Sequence, residues 1–145
     1  MDGGWKARAG LLAAALWWGS LTTIGFIVVP LLFANLATPA DAGRMAAKLF
    51  TAQAWVSMGC GLVVMMSARA SQDVASMDWK NGALPYLFAG VLLALLAEFA
   101  VAPHILAKQD LQFWHSIGSG MYLLQWICAG TVFWKIANFR SAGPS

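Results

Sequence analysis

Four long apolar segments constrain the fold of this chain more than any other feature of its sequence. They lie at about residues 9–36, 46–68, 84–107 and 113–137, and each is near or above the roughly 20 residues that a helix needs to cross a bilayer. Glu98 is the one clear charge deep inside any of them. Hydrocarbon offers no partner for backbone N–H and C=O groups, and these segments do not alternate in polarity as barrel strands do. The segments are therefore predicted to be transmembrane helices.

Composition supports the same class of protein. Hydrophobic residues make up 60% of the chain and charged residues only 10%, whereas ordinary soluble domains carry about 25% charge. A soluble domain of 145 residues could not bury so much apolar surface. These values exclude a soluble enzyme, a disordered tail and a disulfide-stapled secreted module. Residues 1–145 are predicted to form a single all-α domain with four spans.

The connections between the segments are short, which favours antiparallel packing of consecutive helices in an up-down-up-down four-helix bundle. In the first connection, Pro39 is predicted to end one helix and Asp41 to cap the next. Asp110 is predicted to cap the fourth helix.

The distribution of basic residues predicts the orientation of the bundle. Cytoplasmic loops carry an excess of Lys and Arg. One side has six of these residues and the other three, namely Lys6, Arg8, Arg69, Lys80, Lys135 and Arg140 against Arg44, Lys48 and Lys108. Both termini are therefore expected in the cytoplasm, with the chain as a multi-pass protein of a bacterial-type inner (plasma) membrane. The net charge is only +3 and no basic run occurs, so a nucleic-acid partner is not expected.

Small and polar residues at helical spacing predict which faces of the helices meet, because such residues hold helices together in lipid. A face of this kind occurs on three of the helices. The predicted interior faces are Gly19, Thr23, Phe26 and Pro30; Gln53, Ser57, Cys60 and Val64; and His115, Ser119, Tyr122 and Trp126, with Gly118 and Gln125 at the edge of the last. Pro30 is expected to bend the first helix and to free the carbonyl of Phe26. Cys60 and Cys128 are expected to be small buried apolar residues.

Glu98 is the most costly residue of the chain, because a mid-span carboxylate must be paired or protonated. One interpretation is a proton carrier or a ligand for a cation. The other is a protonated side chain hydrogen-bonded to Gln53, Ser57 or Gln125.

His104 and His115 flank the third connection and are predicted to lie at similar heights. Two imidazoles there could bind copper or zinc, or supply an axial haem ligand; alternatively, both are interfacial residues. On a regular helix His104 would lie about 120° from Glu98 and roughly 9 Å higher. Only a distortion at Pro103 would bring the two onto one face.

Four polar residues around the first connection form a further candidate site. Arg44 and Lys48 are one turn apart, and Asn35 and Asp41 are close to them in sequence. They predict either a collar that binds an anion or a partner, or a pair of basic side chains that snorkel to the interface. No phosphate loop, catalytic triad or HExxH motif occurs, so an enzyme is not the favoured prediction.

Several motifs resemble an uncharacterised four-helix membrane family, a domain of unknown function whose eukaryotic relatives are linked to platinum-drug tolerance. They are Leu16-Trp-Trp-Gly-Ser-Leu, Val29-Pro-Leu-Leu-Phe33, Gln53-Ala-Trp55, Glu98…Pro103 and His115-Ser-Ile-Gly-Ser. The resemblance runs from about Leu11 to Trp134. Copper-resistance D membrane proteins and HemJ-type protoporphyrinogen oxidases look distantly similar. The HemJ type carries an essential His in its first helix, whereas this chain has no His before His104.

Three hypotheses for function follow. The first is a small accessory or interaction protein in the lipid bilayer, with a second copy of the chain or another membrane protein as partner. The second is a metal- or haem-binding membrane protein that uses His104 and His115, with haem or copper as the cofactor. The third is a proton-coupled small transporter that uses Glu98.

Overall fold

The computed structural model describes residues 3–70, 78, 80, 82–107 and 110–141. These residues are helical apart from the connections, and none of them forms a strand. The elements are α1 (Gly3–Thr23), a π-helical turn (Ile24–Val28), α2 (Val29–Asn35), α3 (Pro39–Ala70), α4 (Leu84–Leu96), a second π-helical turn (Ala97–Val101), α5 (Ala102–Leu106) and α6 (Leu111–Ser141). Each π-turn joins its neighbours into one continuous helix, so the described residues form four helical segments, as predicted. The first is α1–α2, the second α3, the third α4–α5 and the fourth α6.

Three of the four segments are long and apolar enough to cross a membrane. They are Gly4–Asn35, Pro39–Arg69 and Leu84–Leu106. The fourth segment is 31 residues long but is not among them. Its length is sufficient; Tyr, Trp, Gln and several Gly residues lower its hydropathy.

Each π-turn ends two residues before a proline. The N–H of Val29 donates to the carbonyl of Ile24, five residues back, just before Pro30. In the same way the N–H of Ala102 donates to Ala97 just before Pro103. Proline lacks an N–H and crowds the preceding turn, and a wider turn relieves this conflict. The disturbance predicted at Pro30 takes this form, and the helix that carries Glu98 contains the same distortion.

The start of α3 corrects one prediction. Thr38, rather than Asp41, occupies the capping position: its Oγ1 accepts the N–H of Asp41 at 3.1 Å and donates to the Asp41 carboxylate at 2.6 Å. Pro39 takes the first helical position, where a missing N–H is harmless. The motif Thr38-Pro39-Ala40-Asp41 thus follows the capping-box pattern, in which the residue at the third helical position supports the cap from inside the helix.

The core lies where all four segments meet around Trp17. The indole of Trp17 is fully buried, and so are Leu21, Val64, Leu87 and Val132. The indole packs against Gly90, where a Cβ would lie only 2.7 Å from Trp17 Cη2 and 3.3 Å from Cys128 Cβ. Gly90 therefore allows three segments to approach one another around a large aromatic ring. Cys60 and Cys128 are free and buried, as expected.

The interior face predicted for the second segment is confirmed, since Gln53, Ser57, Cys60 and Val64 are all buried. The face predicted for the first segment is wrong. Gly19, Thr23, Phe26 and Pro30 are exposed, and the buried face is instead Gly10, Ala13, Ala14, Trp17 and Leu21. The observed face also contains small residues, but it lies nearer the start of the helix and includes Trp17, which Gly90 on another segment accommodates.

The face predicted for the fourth segment is wrong in its first half. His115 and Ser119 are exposed, whereas Tyr122 and Trp126 are half-buried. Gln125, predicted at the edge, belongs to the buried face together with Cys128, Ala129, Val132 and Ile136.

We expect Gly90→Ala to lower the free energy of unfolding by about 1–3 kcal/mol, because the rigid indole of Trp17 cannot move away from the added methyl group. Gly59→Ala on α3 is the matched control, since no atom lies within 4 Å of a Cβ at position 59. Thermal unfolding in detergent micelles measures both variants. Equal melting temperatures for the two would contradict the close packing at Gly90.

Candidate functional site

Four buried or half-buried polar side chains form a network between the first, second and fourth segments. Ser57 is fully buried, Gln53 is 2% exposed and Gln125 is 4% exposed. The Nε2 atoms of Gln125 and Gln53 both donate to Ser57 Oγ, at 2.8 and 3.4 Å. Gln53 Nε2 also donates to Ser20 Oγ at 3.0 Å. The structure thus brings together two of the predicted binding residues, Gln53 and Gln125, at a shared serine.

The network is nearly complete within the protein. Ser57 Oγ donates to the carbonyl of Gln53 at 2.9 Å, and Ser20 Oγ donates to the carbonyl of Trp17 at 3.0 Å. A hydroxyl can accept two hydrogen bonds and donate one, and Ser57 does all three. Gln53 Oε1 is buried and has no partner among the described residues. Neutral amides and hydroxyls that satisfy one another in this way tie helices together rather than expose reactive groups.

Glu98 lies outside this network, in the second π-turn. Its side chain is half-buried, and Thr51 Oγ1 on α3 donates to Glu98 Oε2 at 3.1 Å. The predicted partners Gln53, Ser57 and Gln125 are engaged with one another instead. Thr51 was not singled out from the sequence. The sequence offers one signal for Thr51. It lies two residues before Gln53 on the same helix and therefore faces a different neighbouring segment.

The two histidines lie at the same end of the third and fourth segments, but in different surroundings. The imidazole of His104 is half-buried and stacks on the indole of Trp114, with ring centroids 4.1 Å apart and an interplanar angle of 5°. The side chain of His115 is exposed. Within the described ranges, no group of three or more His, Cys, Asp or Glu side chains could hold a metal ion. A metal or haem site at these residues stays a prediction.

The polar residues near the first connection separate into two local arrangements. The guanidinium of Arg44 forms an ion pair with Asp41, and both side chains are substantially accessible. Asn35 Nδ2 donates to the carbonyl of Leu31 at 2.9 Å and so closes the end of its own helix. Lys48 is exposed. A collar that binds an anion stays a prediction, but the charge of Arg44 is already compensated by a neighbour on its own helix.

A cluster of aromatic residues between the first and fourth segments was missed by the sequence analysis. Trp126 Nε1 donates to Thr22 Oγ1 at 2.8 Å, and Tyr122 donates through its hydroxyl to the carbonyl of Leu21 at 2.7 Å. Trp18 lies 5.9 Å from both Trp126 and Phe133 between ring centroids. The only signal for this cluster was the repeated Trp and Tyr at helical spacing.

The same aromatic cluster borders a shallow, open groove of about 400 Å³ on the outside of the fourth segment. Its lining is mostly apolar and consists of Trp18, Trp126, Ile127, Gly130, Thr131, Phe133 and Trp134. Gly130 allows the indole of Trp18 to pack closely against α6, because a Cβ at position 130 would lie 2.8 Å from Trp18 Nε1.

The helical fold of the described residues, the apolar exterior and the buried polar network are properties of a helical membrane protein. Residues 12–113 match the model of the family described as "Domain of unknown function (DUF4149)". The match covers well over half of the chain, and the chain belongs to this family. The resemblance to an uncharacterised family is thereby confirmed. Neither the curated proteins nor the solved structures compared with the chain include a significant match.

We expect Ser57→Ala to lower the free energy of unfolding by about 0.6–2 kcal/mol, the range measured for hydrogen bonds between membrane helices. The substitution removes the acceptor that Gln53 and Gln125 share. Ser116→Ala is the control, since Ser116 is exposed and its hydroxyl bonds only to the carbonyl of Gln112 on its own helix. Unfolding by a denaturing detergent, followed by circular dichroism, compares the two. A Ser57→Ala variant as stable as Ser116→Ala would show that the network contributes nothing.

Proposed function

We propose that this chain is a multi-pass protein of a bacterial-type inner (plasma) membrane, with four spans in up-down-up-down order and both termini in the cytoplasm. Contacts at two levels support antiparallel first and second segments: Gly10 lies against Ser67, and Ser20 bonds to Gln53. The same test makes the other consecutive segments antiparallel. Between the second and third segments, Thr51 bonds to Glu98 and Gly61 lies against Val91; between the third and fourth, Gly90 lies near Cys128 and Val101 near Gly118. The excess of Lys and Arg on the side of the termini supports the orientation.

The fourth segment spans the membrane in this proposal despite its lower hydropathy. Its polar side chains are the ones that bond to other segments: Gln125 to Ser57, Trp126 to Thr22 and Tyr122 to Leu21. A polar group that is satisfied inside a bundle adds little to the cost of inserting its helix.

Reporter fusions test the topology. Green fluorescent protein fused after Ser145 should fluoresce, because it folds in the cytoplasm, and the same reporter fused after Gln109 should remain dark. Alkaline phosphatase at the same two positions should give the opposite pattern. If a reporter reads the same at both positions, the fourth segment does not cross the membrane.

We further propose that the protein acts as a small accessory or interaction protein. The observation that carries this proposal is the division of the bundle into two parts. The interior polar groups bond to one another across three segments, whereas the exterior is apolar and carries the groove lined by the aromatic cluster. A groove of this kind suits an apolar helix, from a second copy of the chain or from another membrane protein.

Site-specific photo-crosslinking tests the interaction. Ile127 lines the groove and is 48% exposed. Leu62 is 60% exposed on α3, at a similar depth, since Gly61 packs on Val91 and Gly90 packs near Cys128. A photoreactive residue at position 127 should give a discrete protein adduct in native membranes, and one at position 62 should give mainly lipid adducts. Lipid adducts alone at both positions would contradict the proposal.

The other two hypotheses stay predictions. A copper or haem site would require bound metal or a haem spectrum that is lost in both His104→Ala and His115→Ala. The similarity to copper-resistance D and HemJ membrane proteins and the link to platinum-drug tolerance also stay predictions. Proton-coupled transport would require uptake into liposomes that Glu98→Gln abolishes.

A further inference from the structure

Glu98 is the single carboxyl group within the apolar length of the third segment. It is also the only glutamate of the chain. Thr51 Oγ1 donates to its Oε2 at 3.1 Å. Among the described residues, Thr51 is the hydrogen-bond partner of Glu98 on another segment, and Glu98 forms no ion pair with any of them. The side chain therefore sits in apolar surroundings with one neutral donor.

The backbone around Glu98 departs from a regular helix. Glu98 belongs to the π-turn Ala97–Val101, in which hydrogen bonds span five residues. Pro103 follows two residues after the turn and has no N–H for the carbonyl of Phe99, which a different residue at this position would bond. Single π-turns occur frequently at functional sites, because they re-aim a side chain without ending the helix.

Other charged or titratable groups lie on every element packed against this π-turn. The nearest in register are Lys48 on α3, Tyr86 on α4, His104 on α5, and His115 and Tyr122 on α6. The Tyr122 hydroxyl bonds to Leu21, His104 stacks on Trp114, and Lys48 and His115 are exposed. Tyr86 lies under the ammonium group of Lys135. None of these groups is a described contact of the Glu98 carboxyl.

A carboxylate in hydrocarbon is costly when no cation compensates it, and a bound proton removes its charge. A neutral carboxyl group has one hydroxyl oxygen and one oxygen that only accepts hydrogen bonds. Thr51 Oγ1 lies 3.1 Å from Oε2, and either oxygen of a neutral carboxyl group can take part in such a hydrogen bond.

We propose that Glu98 and Thr51 form a reversible proton-binding site within the membrane, with the proton on the Glu98 carboxyl group. The site extends beyond the accessory role and does not depend on it. A protein that binds a partner in its groove and a protein that acts alone could both carry such a site.

Modification by a hydrophobic carbodiimide tests the proposal. Dicyclohexylcarbodiimide partitions into lipid and reacts with protonated carboxyl groups. The carboxyl proton moves to one carbodiimide nitrogen while the carboxyl oxygen bonds to the central carbon. The acyl group then shifts from oxygen to nitrogen, and a stable N-acylurea remains that contains all atoms of both reactants. Mass spectrometry of the purified chain in liposomes locates this adduct.

We expect one adduct on Glu98 in the wild-type chain, with a yield that falls several-fold as the pH rises from mildly acidic to alkaline. A water-soluble carbodiimide should instead modify the aspartates of the connections, such as the exposed Asp78 and Asp110. An unmodified Glu98 at every pH, or a yield independent of pH, would overturn the proposal. This comparison needs no substitution, so a misfolded variant cannot obscure it.

Two further variants test the part of Thr51. Thr51→Val removes the donor but keeps the shape of the side chain, so the pH profile of the adduct yield should differ from that of the wild type. Thr23→Val is the control, because Thr23 is exposed and its hydroxyl bonds to the carbonyl of Gly19 on its own helix. The site is overturned as proposed if Thr51→Val follows the pH profile of the wild type.

Discussion

The absence of hydrogen-bonding partners in hydrocarbon is the constraint on which the rest of this structure depends. It requires helices, because only they satisfy the backbone within each segment. It also favours polar side chains that find a partner in the protein or lose their charge inside the segments. Ser57, which accepts from Gln53 and Gln125 and donates to the backbone, is the clearest response to this requirement. One of its three bonds joins α3 to the fourth segment, and Gln53 extends the network to Ser20 on the first segment, so the network as a whole links three segments.

The sequence alone predicts the parts of the fold that depend on composition and on helical spacing. The four helical segments follow from apolar length, and the buried face of α3 follows from the spacing of Gln53, Ser57, Cys60 and Val64. The face of α1 could not be predicted in the same way. Whether Trp17 points into the core depends on Gly90, which lies 73 positions later in the sequence and on another helix. Pairing across segments is a property of the assembled bundle, and no local pattern encodes it.

The candidate site shows the same division. Glu98, Gln53 and Gln125 attract notice in the sequence because polar groups are rare in apolar segments. Their hydrogen-bond partners do not attract notice in the sequence. Thr51, Ser20 and Thr22 are ordinary small residues of helices, and their roles appear only when Glu98, Gln53 and Trp126 are brought against them. The capping of α3 by Thr38 rather than Asp41 is a similar case, since both residue types suit the position and the start of the helix decides between them.

The amides and the carboxyl group illustrate two ways of keeping a polar side chain in the membrane. The two glutamines are neutral at any pH, so burial at 2% and 4% exposure requires only that their hydrogen bonds be made. Glu98 is half-buried beside a single hydroxyl, and its cost depends on whether a proton is present. The π-turn before Pro103 carries this group out of the regular helical register. A structural role alone would be served equally well by a glutamine, so the ionisable side chain is the feature of this bundle that most calls for a function.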